Sequence, residues 1–338
     1  MKRIIAILFV LIFIISSLSI ADNDVNVENT NLVISLAGDV CLDGALKNHI
    51  GKHGINYPWA KVSSYFTEDD LTIVNLETSV TTGGKKWPNK QFNFRSKPNS
   101  IEGMAKSGVE VATLANNHVL DYGYEGLLDT LKTLDSYNIK YTGAGKNKKG
   151  AINGIIVEEK GTKIGILAFS RVIPDAKWYA TKNRAGLVSG YDPYVNEMTK
   201  RIAEMKKEVD IVVLSIHWGV ERSTTPRKQE INLVEKAIDS GADIVVGHHP
   251  HVLQSVEKYK DKFIFYSLGN FAFGGNSNPS DKDTMIVQVQ YKFKGNNMDN
   301  MGVKVIPTSI SSVNHKNDYC PTPAQGAEKN RIFKKLNS

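Results

Sequence analysis

Short apolar runs alternate with amphipathic segments along most of this chain. Continuous apolar runs that end at glycine, asparagine or aspartate are typical of buried β-strands, and apolar residues recurring at helical spacing indicate helices. We predict strands at residues 31–38, 71–76, 109–115, 163–169, 210–216, 243–246, 263–268 and 285–291, with shorter ones at 155–157 and 303–307. Helices are predicted at 42–49, 59–66, 100–107, 125–137, 193–208 and 229–240. This alternation predicts an α/β protein with a parallel or mixed sheet covered by helices.

The first residues follow the order of an export signal. Lys2 and Arg3 precede an apolar run at 4–15, and small residues then lead to Ala21. This order predicts a secretory signal peptide over residues 1–21, or an uncleaved N-terminal anchor, because the apolar stretch reaches the short limit of a membrane span. Either alternative puts the body of the protein outside the cytoplasm, secreted or anchored to the outer face of the cytoplasmic membrane.

The remaining chain divides into a linker, one large domain and a tail. Residues 22–30 are polar and predict a short linker, whereas the strand and helix signals fall within residues 31–313. We expect one α/β domain over 31–313. Residues 314–338 are polar and predict a loosely packed tail.

Composition excludes several classes of protein. The 338 residues are 41% hydrophobic and 23% charged, which is ordinary for a globular protein. The net charge of +7 is spread along the chain without a block of lysine and arginine, so we do not expect a nucleic-acid partner. In an exported protein Cys41 and Cys320 could form a disulfide, but the closeness of Cys41 to a candidate ligand leaves a free thiol equally open.

Candidate ligands follow the ends of the predicted strands. Parallel strands of one sheet present their carboxyl ends at the same edge, where side chains from several strands can meet. Taken alone, Asp39 could instead cap the helix that follows it. Carboxylate, amide and imidazole groups together suit two divalent ions such as manganese, zinc or iron rather than a cysteine-type structural zinc. The predicted metal ligands are Asp39, Glu77, Asn117, His217, His249 and His251.

The stretch from Gly247 to His251 carries the strongest of these signals. A buried run at 243–246 ends at a glycine, and three histidines follow within the next four positions. Imidazole is a common ligand of transition metals because it is largely uncharged at neutral pH. Pro250 stiffens the loop. Whether His248 is a third ligand stays open, and the alternative is a histidine-rich loop in water.

Two further segments have less specific signals. Arg95 lies beside aromatic residues and is either a clamp for an anion or a surface charge. The polar, irregular segment 171–190 is either a lid that faces the substrate or a plain surface loop.

Six short motifs resemble the motif series of the CapA capsule-synthesis proteins. They are Gly38-Asp39-Val40, Asn75-Leu76-Glu77-Thr78, Asn116-Asn117-His118 with Asp121-Tyr122-Gly123, His217-Trp218-Gly219-Val220-Glu221, Gly247-His248-His249-Pro250-His251 and Tyr266-Ser267-Leu268-Gly269-Asn270-Phe271. That family is similar to the calcineurin-like metallophosphoesterases. The resemblance therefore implies a four-layered α/β/β/α sandwich with a two-metal centre. It also implies a role in making, exporting or anchoring poly-γ-glutamate, an anionic capsule polymer.

The resemblance also implies roles for single residues. Asp39 stands at the aspartate of the phosphoesterases' first motif, Glu77 near their bridging carboxylate, Asn117 and His118 at their Asn-His pair, His217 at the lone histidine, and His249 and His251 at the closing pair. Two positions depart from the pattern, since Cys41 replaces a histidine and Glu77 replaces an aspartate. The candidate catalytic residues are His118 and Asp121. The candidate substrate-binding residues are Arg95, Trp218, Glu221 and Asn270.

Two functions from different classes remain. In the first, the protein is a metal-dependent hydrolase or transferase that acts on a phosphate ester or a γ-glutamyl bond, with an activated water and His118 as general acid. In the second, it is a non-catalytic accessory subunit of a membrane-embedded polymer synthase, and its metal site holds structure or grips glutamate carboxylates. A nucleotidase is a weaker alternative, because the sequence shows no aromatic clamp for a base.

Overall fold

The structure is a computed structural model that describes residues 29–294 and 297–336. The predicted signal peptide or anchor at 1–21 lies outside the described residues, as does the predicted linker up to residue 28. Within the described ranges, we find no helix with the length and apolar character that a membrane crossing requires.

Strands and helices alternate through most of the chain. The strands are β1 (Asn29–Cys41), β2 (Leu71–Leu76), β3 (Ser79–Val80), β4 (Arg95–Ser96), β5 (Val111–Thr113), β6 (Lys140–Thr142), β7 (Ala144–Gly145), β8 (Ile155–Glu159), β9 (Thr162–Ser170), β10 (Gly186–Leu187), β11 (Ile211–His217), β12 (Ile244–His248), β13 (Val256–Tyr259), β14 (Lys262–Phe265), β15 (Asn270–Phe273), β16 (Asp283–Lys294), β17 (Asn297–Ser309) and β18 (Thr322–Pro323). The α-helices are α1 (Gly44–His53), α2 (Ser63–Thr67), α3 (Ser100–Lys106), α4 (Gly123–Ser136), α5 (Lys148–Ile152), α6 (Val195–Lys206), α7 (Lys228–Asp239) and α8 (Gly326–Leu336).

Two mixed sheets form the centre of the molecule. The larger has the order β18-β17-β16-β1-β2-β5-β6, with β15 also paired to β1. In it β15, β1, β2, β5 and β6 run parallel. The second has the order β13-β14-β12-β11-β9-β8, and its four central strands run parallel. These sheets and helices confirm the predicted α/β class.

The two sheets pack against each other and carry helices on their outer faces. Ile73 of the larger sheet and Val213 of the smaller one belong to the same buried apolar cluster. Leu127 of α4 belongs to a second cluster with the outer face of the larger sheet, and Met198 of α6 and Leu233 of α7 belong to a third with the smaller sheet. Burial of these faces is the main driving force for folding.

Two strands near the site differ from the prediction. β1 does not end before Asp39 but continues to Cys41, and its pairing with β2 shifts between Ala37 and Asp39. Such a bulge re-aims the side chains that follow it. The predicted strand 263–268 stops at the end of β14, and the chain crosses to the other sheet. There β15 pairs with β1, so that Asn270 lies opposite Asp39.

The C-terminal segment is packed, contrary to the loosely packed tail that we predicted. α8 buries Ile332 and Leu336 in the cluster between the sheets. Arg331 Nη2 donates a 2.6 Å hydrogen bond to Asp283 Oδ1 at the start of β16. Apolar residues at helical spacing, set among lysines, explain why a segment of polar composition still forms an amphipathic helix.

Candidate metal centre

The carboxyl ends of parallel strands from both sheets bring the six predicted metal ligands together. One set of donor atoms comes from Glu77, His217 and His249, and these atoms lie within 4.8 Å of one another. A second set comes from Asp39, Glu77 and His251. Glu77 belongs to both sets, so its carboxylate lies between two places where an ion could bind.

Asn117 adds an amide oxygen to the first set. Its Oδ1 lies 2.7 Å from Nε2 of His217. A third set of donors consists of Glu221, His249 and His251, and it opens to solvent through Glu221.

The contacts of Glu77 Oε1 test whether these residues fit a metal. This buried oxygen has no hydrogen-bond partner within the described residues. It lies 3.6 Å from Nε2 of His217 and 3.7 Å from Nε2 of His251, too far for a good hydrogen bond. Two donors each about 2.1 Å from one tetrahedral ion are about 3.4 Å apart, so these separations suit atoms that share an ion. The residues present therefore fit a divalent metal.

The two buried carboxylates respond differently to their surroundings. Burial alone would raise the pKa of Asp39, but its hydrogen bonds and ionic contacts with His248 and His251 hold that pKa well below the usual value. Burial and the neighbouring charge of Asp39 raise the pKa of Glu77 well above its usual value. Two such carboxylates cannot both stay ionised unless positive charge lies between them. In the metal-free protein His251 supplies positive charge between the two carboxylates, and a bound cation would serve the same purpose.

The three ligand histidines also differ from one another. Burial lowers the pKa of His217 well below its usual value and that of His249 to about 3, so both imidazoles are neutral. Burial has the same effect on His251, but the charge of Glu77 and the contact with Asp39 outweigh it and raise its pKa to about 9. Neutral imidazoles are the form that binds a metal, so an ion held by His251 would have to displace its proton.

The backbone around the histidines is strained. His249 has a φ of 94° and His251 a φ of 58°, values that residues other than glycine rarely adopt. Such strain persists only where the surrounding structure holds it and is common at functional sites. At Gly247 a Cβ atom would lie 2.1 Å from the carbonyl oxygen of Tyr266, so only glycine allows this close approach.

Asparagine amides behind the ligands form a network that the sequence analysis did not assign. Asn75 Nδ2 donates to Asp39 Oδ1 at 2.8 Å and lies 3.4 Å from both Glu77 Oε2 and His217 Nδ1. Asn116 Nδ2 donates in turn to Asn75 Oδ1 at 3.0 Å. The position of Asn75 could have been predicted from strand alternation. It lies two residues before Glu77, and residues two apart along an extended chain point to the same side.

His118 lies next to the ligand Asn117 and contacts two charged side chains. Its Nδ1 lies 2.6 Å from Oδ2 of the fully buried Asp121 and 2.9 Å from Nζ of Lys90. Lys90 Nζ also donates to Asp121 Oδ1 at 2.6 Å and to the carbonyl oxygen of Phe92 at 2.8 Å. Burial lowers the pKa of both His118 and Lys90. No sequence pattern predicted the role of Lys90, which reaches the site from an irregular loop.

The four candidate substrate-binding residues have different environments. Asn270 Oδ1 lies 2.9 Å from Nδ1 of His251 and so orients a candidate ligand. The guanidinium of Arg95 lies 4.4 Å from the centre of the Tyr122 ring. Glu221 is exposed beside His249 and His251.

Trp218 requires a correction. This side chain is fully buried, and its Nε1 donates to the carbonyl oxygen of Tyr266 at 3.0 Å. It therefore packs beneath Gly247 and supports the histidine loop instead of facing a substrate.

The remaining sequence alternatives are also resolved in part. Cys41 and Cys320 are both free, buried thiols, and neither belongs to a donor set within the described residues. Burial raises the pKa of Cys41 well above its usual value. The segment 171–190 is packed in part, since Trp178 is fully buried with its ring centre 5.6 Å from that of Trp87, whereas residues 181–183 are exposed.

Comparisons with known proteins identify similar proteins that are described as capsule or PGA synthesis proteins. A family model described as "Bacterial capsule synthesis protein PGA_cap" matches residues 33–275. The chain is similar to "Capsule biosynthesis protein CapA" of Bacillus anthracis, with 32% identity over 314 residues that cover 91% of this chain and 74% of the relative. It is similar to "PGA biosynthesis protein CapA" of Bacillus subtilis (strain 168), with 33% identity over 266 residues, 78% of this chain and 69% of the relative.

A shorter match extends to another organism. The chain is 30% identical to a "Probable polyglutamine synthesis accessory protein" of Mycobacterium tuberculosis (strain ATCC 25618 / H37Rv). This match spans 224 residues, which are 63% of this chain and 59% of the relative.

Proposed function

The chain belongs to the bacterial capsule synthesis protein family PGA_cap, and on that premise we propose that it acts in poly-γ-glutamate synthesis as a metal-dependent hydrolase. Its substrate is a phosphate ester or a γ-glutamyl bond. The names of the relatives support the role in capsule synthesis. The observation that carries the metal centre is Glu77, whose carboxylate oxygen without a hydrogen-bond partner within the described residues lies between two sets of metal donors, and the His118–Asp121 contact beside it favours hydrolysis.

The proposed centre assigns each ligand to one of two ions. Asp39, Glu77 and His251 would hold the first ion, and Glu77, His217, His249 and Asn117 the second. When bound, such a pair of ions activates a water molecule and polarises the phosphoryl or carbonyl oxygen under attack. Imidazole and carboxylate donors without cysteine suit manganese, zinc or iron.

His118 and Asp121 supply the proton chemistry in this proposal. The 2.6 Å contact between His118 Nδ1 and Asp121 Oδ2 fixes the orientation of the imidazole and leaves Nε2 free to hold or release a proton. A general acid placed in this way typically contributes about 10²–10⁴-fold to the rate. Lys90 Nζ, 2.6 Å from Asp121 Oδ1, offsets the buried charge of Asp121.

An accessory, non-catalytic role is the second candidate. The name of the mycobacterial relative includes the word "accessory" and is the observation that favours it. In that case the centre binds glutamate carboxylates of the polymer or stabilises a contact with a membrane-embedded synthase subunit, and no bond is cleaved.

One assay separates the two functions. The full-length chain, purified in detergent, is stripped of metal and reloaded with Mn²⁺ or Zn²⁺. It is then tested on p-nitrophenyl phosphate, bis(p-nitrophenyl) phosphate and γ-glutamyl p-nitroanilide. We expect metal-dependent release of nitrophenol or nitroaniline that Asp39→Asn abolishes. A loaded protein that binds metal and polymer but cleaves none of the three compounds would support the accessory role.

We further propose the architecture and location that the sequence suggests. The helices on the outer faces of both sheets support a four-layered α/β/β/α sandwich of the metallophosphoesterase type. The basic and apolar order of the first residues supports export, followed by release or anchoring at the outer face of the cytoplasmic membrane.

A further inference from the structure

We infer that His248 is a positioning residue of the metal centre: its imidazole fixes the carboxylate of Asp39, and it is not a ligand itself. This inference rests on the proposed metal centre and goes beyond it by assigning the one histidine of the loop that the donor sets leave out. Within the described residues, His249 and His251 each belong to two of the donor sets, whereas His248 belongs to none.

The backbone separates His248 from the two ligand histidines. His248 is the last residue of β12 and pairs with His217 of β11. Strand alternation puts it on the same face as Val246, whose side chain lies in the apolar cluster between the sheets. The chain leaves the strand at His249, where φ becomes positive. The position of His248 is therefore fixed by sheet hydrogen bonds, whereas the ligand histidines lie on the strained loop.

The hydrogen bonds of Asp39 show what His248 contributes. Oδ1 of Asp39 lies 3.0 Å from Nδ1 of His248 and accepts a 2.8 Å hydrogen bond from Asn75 Nδ2. A carboxylate oxygen offers about two lone-pair directions, so these two contacts occupy Oδ1. Oδ2 faces the ligand side, 3.2 Å from Nδ1 of His251 and 3.3 Å from the backbone nitrogen of His249.

This division assigns one task to each oxygen of Asp39. Oδ1 is held by His248 and Asn75 at 3.0 and 2.8 Å, whereas the two contacts of Oδ2 are longer, at 3.2 and 3.3 Å, and come from the histidine loop itself, so Oδ2 is the oxygen that would face the ion. Partners behind a ligand orient it, and their loss typically lowers metal affinity about 10–100-fold without removing the site. The same change at a ligand removes the ion itself.

Three variants of the full-length protein distinguish a positioning residue from a ligand. His248→Leu removes the donor and keeps most of the volume. His248→Asn keeps a nitrogen donor at the place of Nδ1, because both atoms are bonded to Cγ. His251→Ala removes a proposed ligand. His315→Leu, at an exposed histidine, is the matched control.

The affinity for Mn²⁺ and Zn²⁺ is measured by competition with a chromophoric chelator, and the stoichiometry by equilibrium dialysis. We expect His248→Leu to keep the wild-type stoichiometry with an affinity about 10–100-fold lower. His248→Asn recovers most of that loss, His251→Ala loses one ion, and His315→Leu matches the wild type. The unfolding temperature without metal, recorded for each variant, shows that the effect is not a general loss of stability.

Each negative result would contradict a different claim. Wild-type protein that binds no divalent ion contradicts the proposed metal centre, and the role of His248 fails with it. If the wild type binds metal and His248→Leu binds it equally well, the centre stands and the inference is overturned. If His248→Asn loses an ion as His251→Ala does, His248 is a ligand and the inference is also overturned. His248→Asn decides the question even if the leucine variant does not fold.

Discussion

Oε1 of Glu77 and Nε2 of His217 face each other at 3.6 Å in the interior of the protein, and no hydrogen bond reaches that oxygen within the described residues. Leaving a buried carboxylate oxygen without a partner costs free energy that most folds avoid. The arrangement is reasonable if a cation completes it, because the cation supplies the missing partner of the Glu77 oxygen.

Replacing Glu77 by glutamine tests this cost directly. Glu77→Gln removes a carboxylate that burial and Asp39 disfavour, so we expect the metal-free protein to unfold about 2–4 °C higher, the change that roughly 1 kcal/mol produces in a domain of this size. We also expect added Mn²⁺ or Zn²⁺ to lose its stabilising effect. Calorimetry with and without chelator measures both changes. The exposed Glu68→Gln, at a residue that belongs to no donor set within the described residues, is the control, and a Glu77→Gln variant that metal still stabilises like the wild type contradicts the role of Glu77.

His118 should affect catalysis without affecting metal content. If His118 is the general acid, His118→Asn lowers the turnover of a cleaved substrate about 10²–10⁴-fold while the bound metal stays unchanged. Steady-state kinetics together with elemental analysis of the same sample provide the two measurements. The exposed His53→Asn is the control. A variant with wild-type turnover would remove His118 from the mechanism.

The strained backbone at His249 predicts an unusual order of stability. A variant with alanine normally has a higher free energy of unfolding than the variant with glycine at the same position. At a φ of 94° we expect the reverse, with His249→Gly more stable than His249→Ala by about 1 kcal/mol or more. At the exposed Lys132 within α4 the order should be the usual one, with Lys132→Ala above Lys132→Gly by about 1 kcal/mol. Chemical unfolding of the four variants gives both differences. The same order at both positions would mean that His249 is not strained.

Glu110, which is not part of the metal centre, should make the stability of the fold depend on pH. Burial raises its pKa to about 7, although Thr72 N–H donates a 2.8 Å hydrogen bond to its carboxylate. Because the folded pKa lies above the usual value, protonated Glu110 stabilises the fold at low pH, and this contribution is lost as the pH rises through about 7.

Glu110→Gln keeps an acceptor for Thr72 and removes the titration. We therefore expect the unfolding temperature of the variant, relative to that of the wild type, to rise by about 1–3 °C as the pH is raised from 5 to 8. Asp69, whose burial raises its pKa to about 6, titrates in both proteins, and its charge is one of the causes of the raised pKa of Glu110. Parallel pH profiles would show that the charged form of Glu110 costs nothing in the fold.

The sequence predicted those features that depend on local pattern. β2 has the predicted bounds, Leu71–Leu76, because a fully buried strand is a continuous apolar run. The six predicted metal ligands converge, but from two sheets: parallel pairing aligns the strand ends within each sheet, and the packing of the two sheets, which the pattern of apolar runs did not predict, brings these ends together.

Features that depend on tertiary pairing were not predictable in this way. The transfer of β15 to the larger sheet results from its pairing with β1, and no local signal separates it from β14. Lys90 extends from an irregular loop to His118, a contact that the periodicity of the sequence does not encode. Trp218 stands in a motif of functional residues, and only its complete burial shows that it packs under the loop.

The most direct test of the metal centre is the number of divalent ions that the full-length protein binds. Equilibrium dialysis against Mn²⁺ or Zn²⁺, followed by elemental analysis, gives this number for the wild type and for Glu77→Gln. The shared carboxylate of Glu77 predicts about two ions per chain in the wild type and fewer than one in the variant. A wild type that binds no ion, or a Glu77→Gln protein that keeps both, would contradict a centre in which Glu77 bridges two metals.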